Sequence, residues 1–181
     1  MDSHRKENGG KKDPFQKETS QTKRVGGLGL EKTQPVERSS MDERVKEAIF
    51  KKVEREPFAQ KFGIRLIGLD EGYSKVEMKL TSDMENFFGM AHGGALFALI
   101  DEAFETASNS HGTVAVALNM NITYVSPPSP ESGLVAEARE LSRTQSTAVY
   151  DIKLFDEHNQ LIASCEALVY RKKEPLPFLN E

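Results

Sequence analysis

The chain has 181 residues, 38% of them hydrophobic and 29% charged, with a formal net charge of −4. That is room for one ordinary domain plus a tail, and it gives no global electrostatic reason to expect a nucleic-acid partner. No run of 18 apolar residues occurs, so membrane insertion is not expected. The first 40 residues lack the apolar stretch of a secretory signal and carry six acids, which transit peptides avoid.

Residues 1–40 are rich in Lys, Arg, Gly, Ser, Thr and Gln and nearly empty of large apolar side chains, with nine basic residues against six acidic ones. Such a segment buries too little surface to offset its ordering entropy, and a disordered extension is expected there. Its slight basic excess suits a weak docking arm or a dispensable tail. Met41 stands at the composition change as an alternative start, and residues 41–181 are expected to form the folded domain.

Residues 42–55 place Val45, Ile49 and Val53 on one face of an amphipathic helix, with Asp42 as N-cap and Pro57 as stop. Two strands follow, over 64–69 and 73–80, joined by an Asp70-Glu71-Gly72 hairpin turn. A loop over 81–91 leads into a long apolar helix over 93–109. Four further β runs, at 114–125, 134–142, 147–155 and 161–171, are separated by Pro-rich or polar turns. Strands on both sides of one long helix, with short connections, predict an α+β fold with an antiparallel sheet. Cys165 lies in the last run; a buried structural thiol in a reducing, cytoplasmic compartment is expected, and a single cysteine excludes an intrachain disulfide.

On a helical wheel, Leu96, Phe97, Ile100, Ala103, Phe104 and Ala107 form one apolar stripe, with Glu102, Glu105 and Asn109 opposite. Asp101 falls at the edge of the stripe. A carboxylate there is either a partly desolvated base or nucleophile or simply an extension of the polar face. At the helix start, Gly93-Gly94 leaves first-turn N–H groups open to a ligand oxygen, an oxyanion-hole arrangement, or else marks a flexible helix entry. His92 and Asn86 flank this entry as a cap or packed side chain and a loop residue, or as polar participants in a site.

Asn86, His92-Gly93-Gly94, Asp101-Glu102-Ala103-Phe104, Asn109-Ser110-His111-Gly112 and the run Met120-Asn121-Ile122-Thr123-Tyr124-Val125-Ser126-Pro127 together resemble the hotdog-fold acyl-CoA thioesterases of the phenylacetate-degradation (PaaI-like) group. The resemblance covers residues 45–172. It implies a curved antiparallel sheet wrapped around the central helix, with subunits pairing into a continuous sheet. A homodimer or homotetramer with active sites between subunits is expected. It implies an acyl- or aryl-CoA substrate and no metal or cofactor. By position, Asp101 becomes the nucleophile or the base that activates water, and the Gly93 N–H the oxyanion donor. His92 supports the carbonyl or the leaving thiolate, and Asn86 positions water or substrate. Further substrate contacts fall on Gly94, Asn119, Arg143 and Ser146. Relatives carry Ser or Thr early in the strand after the helix, where this chain has Ala117 with Asn119 nearby. They carry Gly followed by Lys or Arg in the turn after the fourth strand, where this chain has Arg143-Thr144-Gln145-Ser146. Phe87, Phe88 and Met90 are expected to line an apolar acyl pocket.

Two rival functions remain. A hotdog dehydratase or hydratase uses a different His/Asp arrangement. A non-catalytic acyl-CoA-binding sensor of the same fold needs no acid at the position of Asp101, and residues 1–55 lack the pattern of a DNA-binding helix-turn-helix.

Overall fold

The computed structural model describes residues 41–179; the expected disordered extension over residues 1–40 lies outside them. The first helix, α1 (Glu43–Arg55), is capped by the Asp42 carboxylate, which accepts from the Arg44 N–H at 2.8 Å, and buries Val45, Ile49 and Val53. Pro57 ends α1 as expected but also opens a second helix, α2 (Pro57–Phe62). At the first helical position proline has no N–H to lose, and its ring holds the preceding residue extended. Glu56, at φ −70° and ψ 122°, therefore closes α1 and opens α2.

The strands are β1 (Arg65–Asp70), β2 (Tyr73–Lys79), β3 (Thr113–Tyr124), β4 (Gly133–Arg143), β5 (Thr147–Asp156) and β6 (Leu161–Pro175), with α3 (Gly93–Asn109) between β2 and β3. They form one antiparallel sheet in the order β1-β2-β4-β5-β6-β3. The loop expected over 81–91 holds a short 3-10 turn (Ser82–Met84) and a bridge between Glu85 and Ala91. β6 runs four residues past its expected end and pairs with the start of β3, Thr113 opposite Pro175. The hairpin at Gly72 turns with φ +65°, where a Cβ would stand 2.8 Å from that of Glu140; only glycine fits.

The sheet curls around α3. Alternate residues of β4 and β5, among them Ala136, Ala138, Tyr150, Ile152 and Leu154, meet Leu99, Ile100, Ala103 and Phe104 in the core. The Phe104 ring stands edge-on to Tyr150 at 5.5 Å between centroids. Polar tethers lock the helix to the sheet: Ser74 Oγ donates to the Ala103 carbonyl at 2.6 Å, and Ser110 Oγ accepts from the Gly72 N–H at 2.7 Å. Cys165 is buried in β6, and burial pushes its thiol up to about 11.

The expected polar face of α3 needs a correction. Glu105 is exposed, but Glu102 is only 3% exposed. The α1–α2 junction and the C-terminal segment at Leu176–Phe178 border the same cavity as Glu102, so the side of α3 away from the sheet is also covered.

The two edges of the sheet differ. β1 begins and ends on a charged residue, Arg65 and Asp70. β3 has no charged residue in its 12 positions, pairs only with β6, and exposes Val116, Leu118 and Tyr124. No helix among the described residues is long and apolar enough to cross a membrane.

Candidate active site

The entry to α3 is built by local hydrogen bonds. The Asn86 side-chain oxygen accepts from the N–H groups of Phe88 (2.8 Å) and Met90 (3.3 Å), and its own N–H donates to the Met90 carbonyl at 2.7 Å. This Asx-type turn pushes Phe87 and Phe88 into solvent, 90% and 69% exposed, with their rings 4.0 Å apart. The His92 N–H donates to the Met84 carbonyl at 2.8 Å, which seats the loop against the helix.

His92 is the N-cap of α3. Its Nδ1 accepts from the Gly94 N–H at 2.9 Å, which leaves the ring proton on Nε2, facing outward on an exposed side chain. The Gly94 amide is thus already engaged. The Gly93 N–H has no hydrogen-bond partner among the described residues. It lies at the positive end of the α3 dipole, where a developing negative charge is stabilised.

Tyr124, for which spacing along the chain suggests no role of its own, completes this corner. It stands at the end of β3, and its hydroxyl donates to the Gly93 carbonyl at 2.9 Å. A Cβ on Gly93 would meet Tyr124 Oη at 3.2 Å. The tyrosine therefore holds the peptide whose neighbour is the free amide, and only the fold brings it there. Tyr124→Phe is expected to lower kcat about two- to tenfold, the worth of one hydrogen bond of ~0.5–1.5 kcal/mol, with little change in melting temperature. Steady-state thiol release and a thermal melt check this together.

Asp101 is half-buried on α3, and desolvation raises its carboxyl above the ordinary range. It stands eight residues beyond Gly93 on an unbroken helix, which at 1.5 Å and 100° per residue is about 12 Å along the axis and roughly 80° around it. Within one chain the carboxylate and the Gly93 amide are therefore well separated.

Arg143 and Ser146 lie at the other end of α3. Arg143 Nη1 donates to His111 Nδ1 at 2.9 Å, just past the helix C-terminus, and its Nε is 3.4 Å from Glu140. Glu140 Oε2 accepts from His111 Nε2 and from the Tyr150 hydroxyl, both at 2.8 Å. Arg143 is thus an anchored cation that is partly exposed. A second guanidinium joins it: Arg171 donates from Nη1 to the Thr144 carbonyl at 2.7 Å and from its backbone N–H to Ser146 at 2.8 Å. Arg171 is 25 residues beyond Ser146, and only the pairing of β5 with β6 reveals it. Asn119 is exposed on β3 at a bulge following Ala117.

The structure thus brings Asn86, His92, Gly93 and Gly94 together with Tyr124, sets Asp101 two turns away, and leaves Arg143 and Ser146 at the far end of the helix. Residues 88–163, which take in α3, β3, β4 and β5, match the model of the thioesterase superfamily. The acyl-coenzyme A thioesterase PaaI of Escherichia coli is 36% identical over 110 residues, 61% of this chain and 79% of that protein. The chain belongs to the thioesterase superfamily. Within it, the match to PaaI puts the chain in the PaaI-like group of hotdog thioester hydrolases. A candidate esterase of Archaeoglobus fulgidus is 38% identical over 77% of this chain and 89% of its own. The structure of Escherichia coli PaaI aligns with a TM-score of 0.72 at 31% identity, covering 75% of this chain and 99% of that one. The α+β hotdog architecture is the one the sequence predicts.

Proposed function

We propose that this thioester hydrolase cleaves an acyl- or aryl-CoA thioester to the free acid and CoA. In this reading the site is shared between two copies of the chain. The Gly93 N–H of one protomer receives the carbonyl oxygen, and Asp101 of the other either attacks the carbonyl carbon or takes a proton from an attacking water. In the water route the new C–O bond forms as the water proton passes to Asp101. The C–S bond then breaks and CoA leaves as thiolate, a good leaving group that needs no metal. The outward Nε2–H of His92 is suited to support the carbonyl or the thiolate, and the Asn86 carboxamide nitrogen to orient the water.

The observation that carries the reading is the pairing of an unengaged Gly93 amide with a desolvated Asp101 about 12 Å further along the same helix. One protomer cannot bring both to one carbonyl, but a two-fold pairing that runs the α3 helices antiparallel can. The same operation carries Arg143 and Arg171, with Ser146 in their turn, toward the partner's helix entry, where they suit the CoA phosphates. The uncharged, exposed strand β3 is the edge through which two sheets would join. Asn119 on that strand then lies near the seam, in place of the absent hydroxyl at Ala117. The exposed Phe87, Phe88 and Met90 favour an apolar acyl group. The catalytic unit spans 41–181, with 1–40 as an extension to it.

The test is a panel of aryl-, medium- and long-chain acyl-CoAs, followed by free-thiol release, with mass measured in solution. Saturable hydrolysis of at least one member by a dimer or tetramer is expected. Acyl-CoA binding without any thiol release would instead favour the sensor, and a fully active monomer would remove the shared site.

A further inference from the structure

Away from the helix entry, between α1, α3, the start of β3 and the C-terminal segment, lies a cavity of about 410 Å³. Its walls are apolar, from Ile49 and Val53 of α1 to Phe178 near the C-terminus, yet three carboxylates line it: Glu56, Glu102 and Glu105. One oxygen from each lies within 4.8 Å of the other two. Glu102 is 97% buried by exposure, and its Oε1 has no hydrogen-bond donor among the described residues. An ionised oxygen in that position costs several kcal/mol unless something positive faces it.

Among the described residues no side chain donates to that oxygen, and the charge of Lys52 is felt at Glu56. Lys52 is the one basic residue at the cavity, but its Nζ lies over the Phe178 ring at 5.3 Å and forms no ion pair with the three acids among the described residues. Burial first, then repulsion from Glu56, Glu105 and Asp101, pushes Glu102 up to about 8. At neutral pH the cluster must therefore either hold protons or hold a cation.

We propose that Glu56, Glu102 and Glu105 bind one hard divalent cation of calcium's size, which ties the α1–α2 junction to α3. Three carboxylates and no His or Cys select an oxygen-loving ion. The three oxygens lie within 4.8 Å of one another, a span that suits calcium, with its longer bonds of roughly 2.3–2.6 Å and flexible coordination, better than magnesium, which demands near-ideal octahedral geometry at about 2.0–2.1 Å. The role is structural: the ion pins the helix that bears Asp101 to the residue that both closes α1 and opens α2. It takes no part in the hydrolysis and does not depend on that assignment.

The full chain, stripped with EDTA, is titrated with CaCl₂ by calorimetry at pH 7.5. One ion per chain is expected, with a melting temperature that rises in CaCl₂ and falls back on chelation. Glu102→Gln should weaken binding at least tenfold. Glu105→Gln, at an exposed position that tolerates change, should do so as well, while Glu43→Gln at the exposed start of α1 should not. Absence of saturable binding up to 5 mM, on the order of the weakest extracellular calcium modules, would overturn the proposal. So would wild-type affinity in both Glu102→Gln and Glu105→Gln. Equal affinity for MgCl₂ would overturn the size argument and the assignment with it.

Discussion

Asp101→Asn is expected to lower kcat for acyl-CoA hydrolysis by about 10²- to 10⁴-fold, the usual worth of a positioned general base, while the chain still folds and assembles. Asparagine keeps the size and polarity of the side chain but accepts no proton and makes a poor nucleophile. Asp101 is half-buried, with desolvation as the resolved cause of its raised pKa, so losing its charge removes an unfavourable term from the folded state. The variant should be at least as stable as wild type near neutral pH. The sign follows from linkage: a carboxyl raised in the folded state contributes stability that is lost as pH climbs through its folded pKa. Activity runs the other way. The wild-type rate should increase with pH as Asp101 ionises, with a midpoint above the ordinary carboxylate range, and Asp101→Asn should remove that limb. Wild-type turnover in Asp101→Asn, with thiol release as the readout, would refute the role.

The second large effect separates a shared site from one built within a protomer. Gly93→Val places a branched side chain where even a Cβ already meets Tyr124 Oη at 3.2 Å. It should displace the amide and cost roughly 10²- to 10³-fold, as loss of an oxyanion donor does. Alone, neither Asp101→Asn nor Gly93→Val should turn over appreciably. Unfolded together at equal amounts and refolded, they should regain about a quarter of wild-type activity: about half the dimers are mixed, and each mixed dimer has one intact site of two. A site drawn from a single chain would regain nothing. Circular dichroism and mass in solution confirm that each variant folds and pairs, and Gly93→Ala offers a milder partner in the same experiment.

Much of this molecule is legible in its sequence. Hydrophobic spacing located α1, α3 and most strands, because each buries one face, whereas β3, with no fully buried position, was legible only as a run of β-favouring residues. It missed α2, since Pro57 is equally a stop for one helix and a start for the next. It misplaced Glu102, because a wheel assumes one wet side, and α3 is covered on the sheet side and again by α1 and the C-terminal segment. The helix entry was legible as His92-Gly93-Gly94, but its hydrogen bonds were not. That the Gly94 amide is spent on His92 depends on the side-chain geometry of a local cap, and that Tyr124 grips Gly93 depends on a contact between residues 31 apart. Arg171 stayed hidden for the same reason. On the wheel Asp101 is equally a polar-face acid, and only the family resemblance makes it a candidate base; its separation of about 12 Å from Gly93 follows from helix geometry.

The bare edge at β3 has a consequence for the newly made chain. Most sheet edges are blunted by charge, proline or a covering loop, so that stray strands do not add to them. Here the edge of β3 that faces away from β6 pairs with no other strand among the described residues, and it exposes Val116, Leu118 and Tyr124 with no charged residue on the strand to discourage a wrong guest. In the proposed pairing this edge is covered, so the chain that has yet to pair is the adhesive form. Its safe yield in a crowded cell is then decided by how fast the right neighbour arrives relative to the many wrong ones.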